Sequence, residues 1–290
     1  MKPKDPHGAG PAGLRAELVM RLVQERGLDQ PGALAVVDAD PKLRGLLGRW
    51  AAADPEDLAE RARRRVDELG RLAGCLGCGT CCRVSSPTLY QPDGELLGQG
   101  RLERDALYSL RAGEMVYSAR LGRAAPLERD LVKLREAPGG GCVFLRGTTC
   151  GNYQARPLQC RHLECWSGRN AGDLEDLARL DRRDLFQDDA TALALIEEFD
   201  LKVPAAKLTD RLGQAARGEA AAAEQALELM ELDHRLRAAI TRRYGYGVPE
   251  LEIMLGRSAL AVAESHGLEV VLAPDQRPRL RPKASPGGAI

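Results

Sequence analysis

The sequence predicts a mostly α-helical fold packed around an irregular, cysteine-rich centre with a small β-hairpin. Three observations predict it. Ala, Leu and Arg are abundant while aromatics make up only 4% of the chain, a mix that favours helices over strands. Apolar residues recur at helical spacing on both sides of the centre. All eight cysteines fall between Cys75 and Cys165, among glycines and prolines.

Residues 1–12 are rich in Pro and Gly with no apolar pattern, and are expected to be a disordered N-terminus. N-terminal helices should fill residues 13–74. The first starts near Pro11 and ends at Gly27, because Leu14, Leu18 and Leu22 repeat every fourth residue with Val19 and Val23 beside them. Asp40-Pro41 opens a second, Asp as N-cap and Pro in the first turn, with Leu43, Leu46, Leu47 and Trp50 as its buried stripe. Asp54-Pro55 repeats the device for a helix that runs to about Ala73 and stops at Gly74.

The cysteine segment spans residues 75–169. Two prolines make residues 83–92 extended chain or loop. Residues 94–120 read as helical on a weak pattern. A connection follows and ends in Pro138-Gly139-Gly140-Gly141. Cys142-Val-Phe-Leu, the turn Arg146-Gly147 and Thr148-Thr-Cys150 predict a short hairpin. Residues 151–169 should be mostly irregular. A C-terminal helical region then covers 172–273. It holds helices at Leu193–Phe199, Val203–Leu212 and Glu219–Arg243, further helix between Pro249 and His266, and a small strand at Leu268–Leu272. Leu229, Leu232, Leu236 and Ile240 share one face of the long helix. Residues 274–290 are expected to be a flexible tail.

Composition narrows the function. With a formal net charge of zero, no global field draws the chain to nucleic acid or an anionic membrane. No stretch approaches the roughly 20 apolar residues of a membrane helix. The N-terminus lacks the apolar run of a signal peptide. The expected setting is therefore a reducing cytoplasm, with neither nucleic acid nor membrane as partner. Clustered thiols in such a compartment hold metals more often than they form disulfides.

The first half of the cluster is Cys75-Leu-Gly-Cys78-Gly-Thr-Cys81-Cys82. A Cys-x-x-Cys pair can wrap two sulfurs around one metal. Gly77 and Gly79 tolerate positive φ and let backbone N–H groups face the thiolates. Three cysteines spaced two apart also match the first ligands of many iron–sulfur sites. The second half supplies Cys142, Cys150, Cys160 and Cys165. One metal commonly takes four thiolates, so eight thiols can serve two sites. Adjacent cysteines tend to diverge, which would send Cys81 and Cys82 to different metals or make them a bridge. The candidate ligands are thus Cys75, Cys78, Cys81, Cys82, Cys142, Cys150, Cys160 and Cys165. Arg83, Arg146, Arg156, Arg161 and Arg169 can offset the thiolate charge.

These motifs, with Gly141-Cys142-Val-Phe-Leu and Cys150-Gly-Asn-Tyr153-Gln-Ala-Arg156-Pro157-Leu-Gln-Cys160-Arg161, resemble the YkgJ-type cysteine cluster family. The resemblance covers roughly residues 75–166. It implies a zinc- or iron-chelating domain, in some members an iron–sulfur protein. Cys165 lies beyond the core pattern, and Asn152 stands where Ile is frequent. Some relatives are linked to modification of other proteins, such as lysine methylation.

Other features have plain readings. His162 is expected at the surface or hydrogen-bonded rather than on a metal. Arg156 and Arg161 brace the loop through backbone carbonyls, and Tyr153 packs. Arg61, Arg63, Arg64 and Arg65 alternate with acids on a solvated helix face. The basic run from Arg277 to Lys283 belongs to the flexible tail. Gly139–Gly141 lack the Gly-Lys-Ser/Thr of a phosphate loop, and no catalytic triad can be argued from order. Sequence therefore predicts a cytosolic metal-binding protein that holds an iron–sulfur centre, iron ions or zinc, with a redox version passing electrons to a protein partner. The alternatives are an iron-dependent enzyme acting on a peptide or protein, and a structural zinc module for protein interaction. No catalytic residue is assigned.

Overall fold

The computed structural model describes residues 10–118, 121–138, 140–164, 167, 171–174, 176–273 and 276–283. In chain order the helices are α1 (Gly10–Arg26), α2 (Gln30–Ala39), α3 (Pro41–Gly48), α4 (Pro55–Arg71), α5 (Thr80–Val84) and α6 (Gly94–Gly98). They continue as α7 (Leu158–His162), α8 (Ala190–Lys202), α9 (Ala205–Ala216), α10 (Ala220–Tyr244), α11 (Val248–Met254) and α12 (Ala259–Ser265). The strands are β1 (Leu107–Leu110), β2 (Met115–Ser118), β3 (Arg123–Pro126), β4 (Leu131–Leu134), β5 (Leu145–Arg146), β6 (Thr149–Cys150), β7 (Leu268–Leu272) and β8 (Pro278–Pro282). All pair antiparallel, two by two: β1 with β4, β2 with β3, β5 with β6 and β7 with β8. The fold is mostly α, with an irregular cysteine-rich segment and a small hairpin, as the sequence predicts.

The chain divides into two compact units. Unit 1 comprises residues 1–87 and 136–176, and unit 2 residues 88–135 and 177–290. The segment 88–135, expected within the cysteine domain, therefore folds with the C-terminal helices.

Unit 1 is built on α1–α4. Asp40 accepts the N–H groups of Lys42 and Leu43 to start α3, and Asp54 accepts that of Glu56 to start α4. Each caps orphan donors ahead of a proline in the first turn. Asp29 starts α2 in the same way, accepting from Gly32 N–H at 2.8 Å. The apolar stripes of these helices meet in one cluster that includes Leu18, Leu22, Val37, Leu43 and Val66. Helix α4 ends at Arg71, and the buried Arg26 of α1 donates to Leu72 C=O at 2.6 Å and Gly74 C=O at 3.0 Å. These donors satisfy carbonyls that the helix end leaves open, and they fix the chain just before Cys75.

Unit 2 corrects two expectations. Among the described residues of 94–120, helix is confined to α6 and a 3₁₀ turn at Arg104–Ala106. Leu107–Leu110 and Met115–Ser118 form β1 and β2 instead, because Leu107, Ser109 and Leu110 are buried and the β1 ladder closes on β4 in register Leu107↔Leu134. Ser109 Oγ donates to Ile253 C=O at 2.7 Å, tying β1 to α11. Tertiary pairing thus overrides a weak helical pattern. The tail expected at 274–290 contributes β8, whose Leu280 packs beside Val270 against the cluster of α9, α10 and α12. Residues 284–290 lie outside the described residues. Helix α10 buries Leu229 and Ile240, half-buries Leu232 and Leu236, and ends at Gly245 in the left-handed conformation.

Leu22 is fully buried at the centre of the unit 1 cluster. Leu22→Ala is expected to lower the unfolding free energy of unit 1 by about 2–5 kcal/mol, read from urea unfolding.

Candidate metal centre

The first cysteine run leaves α4 through Gly74 and turns twice in the left-handed region, at Gly77 (φ 66°) and Gly79 (φ 74°). Gly77 N–H donates to Cys75 Sγ at 3.4 Å, the contact that the Gly-rich spacing predicts. Gly79 then caps α5, the five-residue helix that carries Cys81 and Cys82.

A polar clamp fixes this turn to the start of α2. Cys78 Sγ donates to Thr80 Oγ1 at 3.3 Å, and Thr80 Oγ1 donates to Asp29 Oδ1 at 2.8 Å. Arg83 donates to both Asp29 oxygens and to Cys78 C=O. The Arg83 guanidinium, then Thr80 and the Gly32 N–H, hold the Asp29 carboxyl down at about 2. A side chain at Gly32 would collide with Asp29, Thr80 and Arg83, so the clamp needs glycine there. Sequence reading missed Asp29. Its signal was present, since Asp29-Gln-Pro31 repeats the cap-plus-proline pattern of Asp40-Pro41.

Backbone contact brings the second run to the first. Cys142 N–H donates to Cys82 C=O at 2.7 Å. Gly141 (φ 81°) makes the approach possible, because a Cβ there would stand 2.8 Å from Cys82 O and 3.2 Å from Arg83 Cα. A Cβ at Gly79 would likewise stand 2.8 Å from Thr148 O. From Cys142 the chain enters the predicted hairpin, with Cys150 opposite Leu145 in β5–β6. Arg146 braces it by donating to Val143 C=O at 2.7 Å. The segment after β6 carries Cys160 on α7.

The structure places the predicted ligands in two groups. Cys81 and Cys82 lie with their sulfurs 3.9 Å apart. A tetrahedral thiolate site with metal–sulfur bonds of about 2.3 Å has edges of about 3.8 Å. The pair therefore fits one ion, where sequence reading sent the two to different metals or a bridge. Cys142 and Cys160 lie close enough to this pair to feel its charge, and both also feel Cys150. Cys82 shares its hydrogen with Cys81, which lowers the Cys81 thiol to about 6 and raises that of Cys82. Burial comes first in raising the thiols of Cys142 and Cys160, and neighbouring sulfurs add to it. Cys75 and Cys78 take other partners. Cys75 is exposed, and Cys78 is buried in the unit 1 core cluster. Cys165 lies outside the described residues.

Among the described residues, no three Cys, His, Asp or Glu side chains form a set that could hold a metal ion as they stand. The donor type and the Cys81–Cys82 edge fit a thiolate site for zinc or iron. Closure on an ion needs the remaining sulfurs to move toward that edge. The seven described cysteines are all free thiols. His162 Nε2 lies 3.1 Å from Asp173 Oδ2, hydrogen-bonded as the sequence predicts. Arg156 Nε donates to Tyr153 C=O at 3.0 Å with its guanidinium over the Tyr153 ring, which fits the loop-bracing role.

Comparison with protein families gives a match over the cysteine segment. Residues 74–179 match the family model CxxCxxCC, described as a zinc- or iron-chelating domain. That segment is thus similar to zinc- or iron-chelating domains. Neither the comparison with curated proteins nor that with solved structures gives a match. No helix among the described residues is long and apolar enough to cross a membrane.

Gly140 provides a control for Gly141, since its φ is also positive (89°) but a Cβ there would meet nothing within 4 Å. Gly140→Ala should cost only the left-handed strain, about 1–2 kcal/mol. Gly141→Ala should cost that strain and also separate the two cysteine runs. Chemical unfolding is expected to rank Gly141→Ala clearly below Gly140→Ala, with a lower metal content as isolated.

Proposed function

We propose that this chain is a metal-binding protein whose centre is one zinc or iron ion on thiolates drawn from Cys81, Cys82, Cys142, Cys150 and Cys160. The observation that carries the reading is the 3.9 Å edge between Cys81 and Cys82, held beside the second run by the Cys142–Cys82 hydrogen bond. In a [4Fe–4S] cluster each thiolate sits on a different iron and the sulfurs stand farther apart than two on one ion, so this edge favours two thiolates on a single metal.

The position of the ligands gives the ion a structural task. Unit 1 is made of two chain segments, separated by the excursion of residues 88–135 into unit 2. Cys81 and Cys82 lie on the first segment, Cys142, Cys150 and Cys160 on the second. An ion bound to both would cross-link unit 1 across that excursion, and its binding energy would become folding energy. Free thiols fit a reducing compartment, the cytoplasm in this reading. A second reading, electron exchange between an iron form and a protein partner, is favoured by the exposure of Cys81.

Anaerobic purification with metal and sulfide analysis tests the proposal. About one zinc or iron per chain without inorganic sulfide is expected. Cys82→Ser should lose most of the metal, whereas Cys75→Ser should retain it. Substoichiometric metal, iron with equimolar sulfide, or equal retention by both variants would overturn the mononuclear assignment.

A further inference from the structure

Unit 2 contains a cavity of about 440 Å³, within the roughly 300–1,000 Å³ range of small-molecule sites. Its wall carries four arginines, Arg111, Arg129, Arg182 and Arg183, against three carboxylates, Asp130, Asp181 and Asp200. Two of the carboxylates are already shared. Asp130 accepts from Arg182 at 2.7 Å, from Arg183 at 2.8 Å and from Ala112 N–H at 2.7 Å. Asp200 accepts from Arg182 and from Arg183. Asp181 accepts the backbone N–H of Arg183.

Arg111 is left short of compensation. It is only 2% exposed, and its Nε has no hydrogen-bond partner. One terminal nitrogen donates to the neutral Val203 C=O at 2.7 Å, and its ion-pair distance to Asp200 is 3.5 Å. Glu114 is close, but its carboxylate takes the Arg111 backbone N–H and the Arg257 guanidinium. A buried cation without a dedicated counter-charge is costly. Burial accordingly pulls the Arg111 guanidinium below its ordinary basicity, and the nearby Arg182 and Arg237 oppose the help from Glu114 and Asp200.

The same cavity receives the start of α9. Pro204 occupies the N-cap and offers no side-chain cap, and Ala205 and Ala206 line the wall. The first-turn N–H groups of this twelve-residue helix lack a capping acceptor, and their dipoles favour negative charge. Gly113 (φ 91°) lets the loop after β1 approach this turn, since a Cβ there would stand 2.6 Å from Ala206 Cβ. At the rim Arg129 is exposed and makes no ion pair or hydrogen bond among the described residues.

We infer that this cavity binds the phosphate group of a small phosphomonoester, between the Arg111, Arg129 and Arg183 guanidiniums and the uncapped N-terminus of α9. Guanidinium forks and helix N–H donors suit a tetrahedral oxyanion that accepts from several directions. The cavity is several times larger than inorganic phosphate, so the rest of its volume is for the ester's organic part. The inference draws on unit 2 alone and is independent of the metal centre.

Calorimetric titration of the full chain with inorganic phosphate and with glycerol 3-phosphate tests it. Both are expected to bind saturably at one site, the ester more tightly. Arg129→Gln, at an exposed rim position, should weaken both by about tenfold, the worth of one charge-assisted contact. Ala206→Asp puts a carboxylate in the first turn, which suits the helix dipole but opposes the ligand. It should abolish binding with thermal unfolding like the parent's, and neither variant should alter the metal content. No saturable binding of either probe, or parental affinity in both variants, would overturn the inference.

Discussion

A single backbone hydrogen bond, from Cys142 N–H to Cys82 C=O, organises the cysteine centre. It joins two stretches of chain sixty residues apart, and everything proposed for the metal site follows from their meeting. The bond forms only because Gly141 lacks a Cβ where Cys82 and Arg83 would collide with one. Upstream, the Asp29–Thr80–Arg83 clamp fixes the first run, and Arg26 fixes the chain entering it. The sulfurs are thereby presented from short, stiff turns rather than from long mobile loops.

This arrangement explains why glycine surrounds the cysteines. At Gly77 and Gly79 the backbone must turn left-handed, and at Gly141 it must also touch another strand of chain. Unit 1 gains its helical stability from an ordinary apolar cluster, and Cys78 belongs to that cluster. The remaining described cysteines lie outside it, Cys81 and Cys82 on α5, Cys142 just ahead of β5, Cys150 on β6, Cys160 on α7 and Cys75 at the exposed start of the run. Apolar packing therefore shapes the helices, while the sulfur-bearing segment depends on polar clamps, on glycine and, in our proposal, on an ion.

Much of the fold was legible because its signals are local. Asp40-Pro41 and Asp54-Pro55 announce α3 and α4, and Gly245 closes α10 as expected. The hairpin at Cys142–Cys150 follows from the Arg146-Gly147 turn. What escaped reading is non-local. The pairing of β1 with β4 needs a partner that Leu107–Leu110 does not reveal by itself. The return of β8 onto β7 is equally invisible in a Pro- and Arg-rich tail. The approach of Cys81 to Cys82 depends on side-chain directions in a five-residue helix, which spacing alone does not give. The charge network around Arg182 joins residues more than fifty positions apart, so no motif marks the cavity it walls.

X-ray absorption at the edge of the bound metal tests the central claim most directly. The account predicts a first shell of about four sulfur atoms at about 2.3 Å for zinc, with no metal neighbour beyond it. A shell of nitrogen and oxygen alone, or a second metal at cluster distance, would contradict it.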